Sequence, residues 1–304
     1  MYSASSRPLS GIPVQKHESG TDRPVRRAAM RAIERLELLA ERPPCAIFIG
    51  ERNAGKSTAA NRVIGSGLLP SHIVASTRHA TLVRYAALPS LHAILADGRR
   101  VTVASPADLA DGDPLMLEVG LPVARLKNFE VLDTPAGFDT RRLEALPGLT
   151  GPIIAVWCTM ATQAWKANEQ ASWLALDSRI RRHGVLAVTA LDRIADDGER
   201  SRLADRLTGT AGRCFRAIAA SSREPLVEEF AGGAALAETL ETLARQLGDR
   251  RRRTVCRLAT RIRRLAGLVA AGDAAGADEV REPARGAPAP VTQPAGVHEV
   301  ALSA

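Results

Sequence analysis

The stretch "CAIFIGERNAGKST", residues 45–58, constrains this chain more than any other. Its apolar start is too short and too β-branched for a helix and reads as a buried strand. The next segment, Gly50 to Ser57, fits G-x-x-x-x-G-K-[ST]. Gly50 and Gly55 let the backbone curl, so that the N–H groups of Glu51, Arg52, Asn53 and Ala54 turn inward on an anion. Lys56, Ser57 and Thr58 complete the loop, and the helix that follows adds its positive N-terminal end. In such a loop the lysine reaches the β- and γ-phosphates, and the Ser57 hydroxyl takes a Mg2+ position. Strand context on one side and "STAANRVIG" on the other set this apart from an ordinary glycine turn.

The rest of the chain is organised around that unit. Residues 1–21 are polar and rich in Ser, Pro and Gly, which predicts a disordered lead-in. Val25, Ala29, Ile33 and Leu36 recur at helical spacing, and "RPP" at 42–44 ends that helix. Short apolar runs come next, among them "ATLVRYAAL", "LHAILAD", "LMLEVGL", "FEVLDTP", "IIAVWCT" and "GVLAVTALD", with helix-like stretches such as "QAWKANEQASWLALDSRIRR" between. Strands alternating with helices predict an α/β fold with a mostly parallel central sheet, in residues 22–232. From 233 to 271 the leucines at 236, 240, 243 and 247 and the apolar residues at 255, 258, 262, 265 and 269 predict helices with one apolar seam, separated at Gly248. Residues 272–304 lack periodicity and predict a disordered tail.

Composition narrows the class further. Hydrophobic residues make up 45% but aromatic residues only 3%, so the core is expected to be built from Ala, Leu, Val and Ile. The four cysteines are far apart and form no CxxC pair, which argues against zinc and disulfides and fits a reducing cytosol. No apolar run approaches a membrane span, and residues 1–20 lack a signal-peptide core, so a cytoplasmic chain is expected. The formal charge of +8 is partly local, since eight arginines lie between Arg250 and Arg264. That run suits an anionic membrane surface or an acidic partner, or simply a solvated helix face. It carries no aromatic residue, so no specific nucleic acid is expected.

Two downstream segments bear on the nucleotide. "NFEVLDTPAG" is a strand ending in Asp133, suited to holding Mg2+ beside the loop. The related D-x-x-G element has glycine where Ala136 stands, with Gly137 next to it. "GVLAVTALDRI" puts Thr189 and Asp192 at the spacing of the guanine-reading [NT]-K-x-D element, with Ala190 in the lysine's place. A carboxylate there accepts two N–H bonds from the guanine edge, and adenine offers no such pair. An ordinary strand-end aspartate capping a helix has the same look. "FRAIAASS" then brings the Ala219–Ala220 backbone toward the base.

Together these segments resemble the dynamin superfamily of GTPases, in particular its bacterial dynamin-like members. The resemblance rests on "GERNAGKSTAANRVIGSGLLPSHIVASTRHATLVRY", "LEVGLPVARLKNFEVLDTPAGFD" and "TQAWKANEQASWL", and spans roughly residues 25–222. It implies a P-loop GTPase three-layer fold, Mg2+-dependent GTP binding with slow hydrolysis to GDP, and acceleration by a homodimer or a dynamin-like paralogue across the nucleotide face. It implies that Thr77, or its neighbour Thr81, contributes to Mg2+ and positions the attacking water. Arg52 stands where animal members often carry Gln, and there it offers positive charge to the transition state or simply faces solvent. The segments after the resemblance, with two helix patterns before the tail, are not expected to build the long stalk and lipid-binding insertion of membrane-remodelling members. Because Ala136 and Ala190 each replace a consensus residue, a nucleotide-dependent interaction module without turnover stands as the alternative, with an ATP-binding P-loop protein as the third reading.

Overall fold

The structure, a computed structural model, describes residues 22–65, 79–103, 114–146, 149, 151–221 and 235–267. In chain order its elements are helix α1 (Asp22–Glu41), strand β1 (Cys45–Ile49), α2 (Lys56–Ile64), β2 (Ala80–Tyr85), β3 (Ser90–Ile94), β4 (Arg100–Thr102), β5 (Met116–Leu121) and β6 (Glu130–Asp133). After these come β7 (Ile153–Met160), α3 (Ala167–Leu174), α4 (Ser178–Arg181), β8 (Val185–Thr189), α5 (Asp197–Ala211), β9 (Ala217–Ser221) and α6 (Leu236–Leu265).

The strands form one sheet in the order β4-β3-β5-β2-β6-β1-β7-β8-β9. From β6 to β9 every pairing is parallel. β2 runs antiparallel to β6 and parallel to β5, and β3 pairs antiparallel with both β4 and β5. The parallel half gathers the ends of β1, β6, β7, β8 and β9 along one edge, where ligands of such sheets bind.

Alternating residues of the central strands feed two separate cores, as a sheet covered on both faces requires. Cys45, Ile47 and Ile49 of β1 pack with Trp173 of α3 and with Leu203 and Leu207 of α5. Ala46 and Phe48 pack with Ala59 and Val63 of α2 and with Leu236, Leu240 and Ala244 of α6. The fold is therefore a three-layer α/β sandwich, the class predicted from the alternation of strand and helix patterns. All three tryptophans lie in the first core, buried. There Trp157 meets Trp173 edge-on at 5.9 Å, and Phe215 lies 4.9 Å from Trp165 and 4.3 Å from Trp173. The second core holds Phe48 and Phe129 among small and branched aliphatic residues, which make up most of it.

The helix-like stretch "QAWKANEQASWLALDSRIRR" forms two helices, α3 and α4. Asp177 starts the second helix by accepting the backbone N–H of Arg179 at 2.7 Å, which ends the first. A correction applies at the C-terminal side. The seam predicted as two helices separated at Gly248 is one helix, α6, running through that glycine. Leu236, Leu240, Ala244, Val255 and Ala259 are all buried from it, and Val255 follows Ala244 by about three turns. One continuous buried face thus outweighs the ~1 kcal/mol that an interior glycine costs.

The chain divides into two compact units, Ala32–Ala259 and a smaller one made of Met1–Arg31 with Thr260–Ala304. In the smaller unit the guanidinium of Arg26 lies 3.8 Å from where a Cβ on Gly267 would stand. Among the described residues no helix is long and apolar enough to cross a membrane.

Gly248 tests the continuity of α6. A Cβ there meets only the Arg252 guanidinium, at 3.5 Å, so Gly248→Ala is expected to raise stability by about 0.5–1 kcal/mol. Thermal denaturation reads this, and a lowered melting temperature contradicts the continuous helix.

Candidate functional site

The phosphate loop follows β1 where two parallel neighbours crowd it. A Cβ on Gly50 would stand 2.5 Å from the Cys158 carbonyl oxygen of β7, at φ +143°. One on Gly55 would stand 3.0 Å from the Thr189 side chain of β8, at φ +78°. Asn53 also takes a left-handed conformation, φ 63°, which Asn tolerates better than most residues. Lys56 opens α2 and is 7% exposed. Its ammonium donates to Glu51 O at 2.8 Å and Gly50 O at 3.2 Å, bridging the start of the loop to its end. Burial lowers the Lys56 pKa, opposed by Cys158 and Asp133. Arg52, Asn53 and Thr58 are exposed, while Glu51 and Ser57 are half-buried.

Asp133 ends β6, in register with Phe48 of β1 and with Thr81 of β2. Burial raises its pKa, opposed by a hydrogen bond from the Ser57 side chain and by the Lys56 charge. Its Oδ1 is buried with no hydrogen-bond partner among the described residues. A hydroxyl oxygen and a carboxylate oxygen in contact, one carboxylate oxygen left over, form a hard oxygen donor set, and these residues fit Mg2+. Thr81 is buried within the sheet. Thr77 lies outside the described residues. Beyond Asp133, the Thr134 hydroxyl donates to Phe48 O at 2.6 Å and ties the turn to β1. The left-handed position of this turn is Gly137, φ 73°. Ala136, exposed and not left-handed, fits the position before it without strain.

At the end of β8 the Thr189 hydroxyl contacts Ala54 O at 2.8 Å and Thr159 O at 3.2 Å. It thus straps the phosphate loop to β7 and β8. Ala190 is left-handed, φ 54°, and starts a 3-10 turn over Leu191–Arg193. Leu191 is buried and Asp192 exposed, so the turn sinks the leucine into the core and leaves the carboxylate on the surface. On β9, Ala219 and Ala220 are buried, one in each core. The residue in register with Thr189 is Ser221. Its hydroxyl is buried without a partner among the described residues, and its carbonyl accepts from Arg62 of α2.

Several residues at this site carry no motif. Glu169 of α3 is buried and accepts from Thr159 Oγ1 at 2.9 Å, Lys166 N at 3.0 Å and Trp157 Nε1 at 3.4 Å. Thr159 Oγ1 also accepts from Trp165 N at 3.1 Å. Asn168 donates to the Glu51 carboxylate of the phosphate loop. Only the Lys166-x-x-Glu169 spacing, that of a helix-start box, hints at any of this in sequence.

Comparison with protein-family models returns no match, and no curated protein matches. Among solved structures, two are of an oligomerised bacterial dynamin pair described as a mechanism for long-range sensing and tethering of membranes. They are 15% and 16% identical, over 81% and 78% of this chain and 44% and 43% of theirs, with TM-scores of 0.49 and 0.48. Era of Aquifex aeolicus, a variant bound to GDP·AlF4−, is 15% identical over 68% of this chain and 57% of its own, with a TM-score of 0.38. The chain spans less than half the length of the dynamin-pair chains it matches.

The half-buried Asp133 gives a measurable signature. Because burial raises its pKa in the folded state, the folded chain holds that proton more tightly than the unfolded one. Its contribution to stability is full below the unfolded pKa and is lost as pH rises through the folded value. In metal-free buffer Asp133→Asn is therefore expected to be more stable than wild type at neutral pH, with the gap closing in acid. Urea denaturation across pH reads this, and parallel curves contradict it.

Proposed function

We propose that the chain is a Mg2+-dependent GTPase domain of dynamin-like descent, which binds GTP and hydrolyses it slowly. The observation that carries this reading is half-buried Asp133 with one buried oxygen orphaned among the described residues, bonded to Ser57 and beside Lys56 at the mouth of a glycine-built phosphate loop. Ser57 and Asp133 would hold Mg2+, with Thr77 joining them as the resemblance implies; when bound, the ion would supply positive charge that offsets the negative charge of the β- and γ-phosphates. The N–H groups from Glu51 to Gly55 and the Lys56 ammonium bind the β- and γ-phosphates and stabilise charge gathering on the oxygen between them. Thr77 orients the water that attacks the γ-phosphorus, the bond to that bridging oxygen breaks, and GDP and phosphate result. The Ala136 N–H faces the γ-phosphate in this reading, and Arg52 adds charge from the exposed rim.

Guanine selection is assigned to Asp192, on the surface turn beyond the Thr189 strap. The Ala219–Ala220 strand end, extended by Ser221, closes the base side. With alanine at 190 no long side chain covers the base, which lowers affinity and leaves discrimination to the carboxylate. A second copy or a dynamin-like paralogue docks across the nucleotide face and speeds turnover, and the arginine run 250–264 is the surface for anionic lipid. The domain works in the cytoplasm, peripheral to the membrane when that surface is engaged.

A second reading, nucleotide-controlled partner binding without turnover, is favoured by one observation. The left-handed glycine of the D-T-P turn is Gly137 rather than residue 136, so the freedom to flip lies one residue away from the consensus place. Calorimetry with GTP and ATP, paired with phosphate release, separates the readings. Wild type is expected to prefer GTP, and Asp192→Ala to lose about 10–100-fold in GTP affinity with ATP unchanged, the worth of charge-assisted hydrogen bonds. Lys56→Ala is expected to abolish phosphate release. Equal affinity for both nucleotides contradicts the guanine assignment, and GTP binding without release supports the second reading.

A further inference from the structure

A cavity of about 810 Å³ opens at the far end of β7 from the phosphate loop. Its volume lies in the range of small-molecule sites, roughly 300–1,000 Å³. It is walled by the 3-10 turn after Asp139, by the start of β7 and by the α3–α4 connection. Leu143, Ile153 and Ile180 give it an apolar floor, and Arg141, Arg179, Arg182 and His183 stand around its rim. From Ile153 to Cys158, beside Gly50, β7 advances five residues, about 16 Å. Its β7 wall thus lies well away from Gly50, and of its lining residues only Thr140 also lines the cleft beside Gly50 and Glu51.

The rim is basic in a way its two acids do not cancel. Asp139 starts the 3-10 turn and holds the N–H and Nε of Arg141, both at 3.0 Å. Asp177 caps α4 through the Arg179 N–H at 2.7 Å. Just outside, Arg216 Nε donates to Arg182 O at 3.1 Å, which brings a further guanidinium to the same corner. His183 is surrounded by Arg216, Arg182 and Arg250, and its pKa is lowered by burial first and by those charges next. Its Nδ1 is buried without a partner among the described residues. Among the lining residues Asp139 and Asp177 stand against Arg141, Arg179 and Arg182, which leaves one positive charge in excess, and Arg216 beside Arg182 adds a second, a field that attracts an anion.

We propose that this cavity is a second ligand site that takes a phosphate monoester with an apolar body. The phosphate sits among Arg141, Arg182 and His183, where guanidinium forks match its oxygens and the orphaned imidazole nitrogen finds a partner. The apolar body lies on Leu143, Ile153 and Ile180. The ligand chemistry is shared by a free small molecule and by a phosphate-headed lipid.

The test is calorimetric titration of the full chain with monomeric octyl phosphate, beside inorganic phosphate and vesicles containing phosphatidic acid. The exposed residues Arg141 and Arg182 are replaced singly, as Arg141→Ser and Arg182→Ser, and Lys56→Ala serves as the control for the phosphate loop. Wild type and Lys56→Ala are expected to bind octyl phosphate equally, each arginine variant about tenfold more weakly, and inorganic phosphate more weakly than octyl phosphate. Arginine-dependent sedimentation with the vesicles, in addition to octyl phosphate binding, assigns the source to lipid; its absence assigns it to a free molecule. Binding lost in Lys56→Ala but kept in both arginine variants overturns the proposal, because the phosphate loop is then the site. Absent binding, equal binding by all variants, inorganic phosphate as tight as octyl phosphate, or vesicle binding without monomer binding overturns it as well. None of these outcomes depends on whether the chain binds GTP, which the nucleotide titration reads separately.

Discussion

The carbonyl oxygen of Cys158 lies 2.5 Å from where a side chain at residue 50 would begin, and the glycine loop of the candidate site depends on that approach. β7 passes so close to the end of β1 that only a glycine can stand there, and its φ of +143° turns the chain into the loop. On the other side Thr189 presses on Gly55 and bonds Ala54 O. The loop is thus clamped between two parallel strands, and its curl is held by the sheet rather than by its own residues. Asn168 and the buried Glu169 brace that clamp from α3.

Two opposite charges, buried Lys56 and half-buried Asp133, meet at the centre of this clamp. Burial pushes the Lys56 pKa down and the Asp133 pKa up, and each is the other's partial remedy. Lys56 donates to two loop carbonyls, whereas one Asp133 oxygen has no partner among the described residues. Charged groups kept in this state raise the energy of the folded chain. They persist where a ligand's charge completes them.

Elsewhere the sheet resolves its own charges. Arg84 of β2 pairs with Glu118 of β5 and Glu130 of β6, each at 3.0 Å, and Arg100 of β4 joins Glu118. This network crosses the strands where the sheet changes direction, since β2 is parallel to β5 and antiparallel to β6. Burial still raises the Glu130 pKa, with Arg84 opposing it. Charge pairing of this kind disfavours a shifted register, because a slip by one residue turns these side chains to the other face.

By itself, the sequence determined what local chemistry can determine. The two loop glycines, the strand before them and the helix after them are dictated by backbone sterics and anion geometry. The α/β class comes from patterns that switch between strand and helix periods. The sequence also marked Asp133 as the strand-end acid, because a charged residue closing an apolar run is visible without a partner. Tertiary structure alone decided which strands are neighbours, and with that why Gly50 must be glycine and why Thr189 serves the loop as a strap. It put Ser221 in register with Thr189, because strand pairing, not spacing, sets how far β9 reaches. It also carried α6 through Gly248 and drew the three tryptophans into one layer. Such outcomes turn on contacts between segments remote in the chain, and no local propensity encodes them.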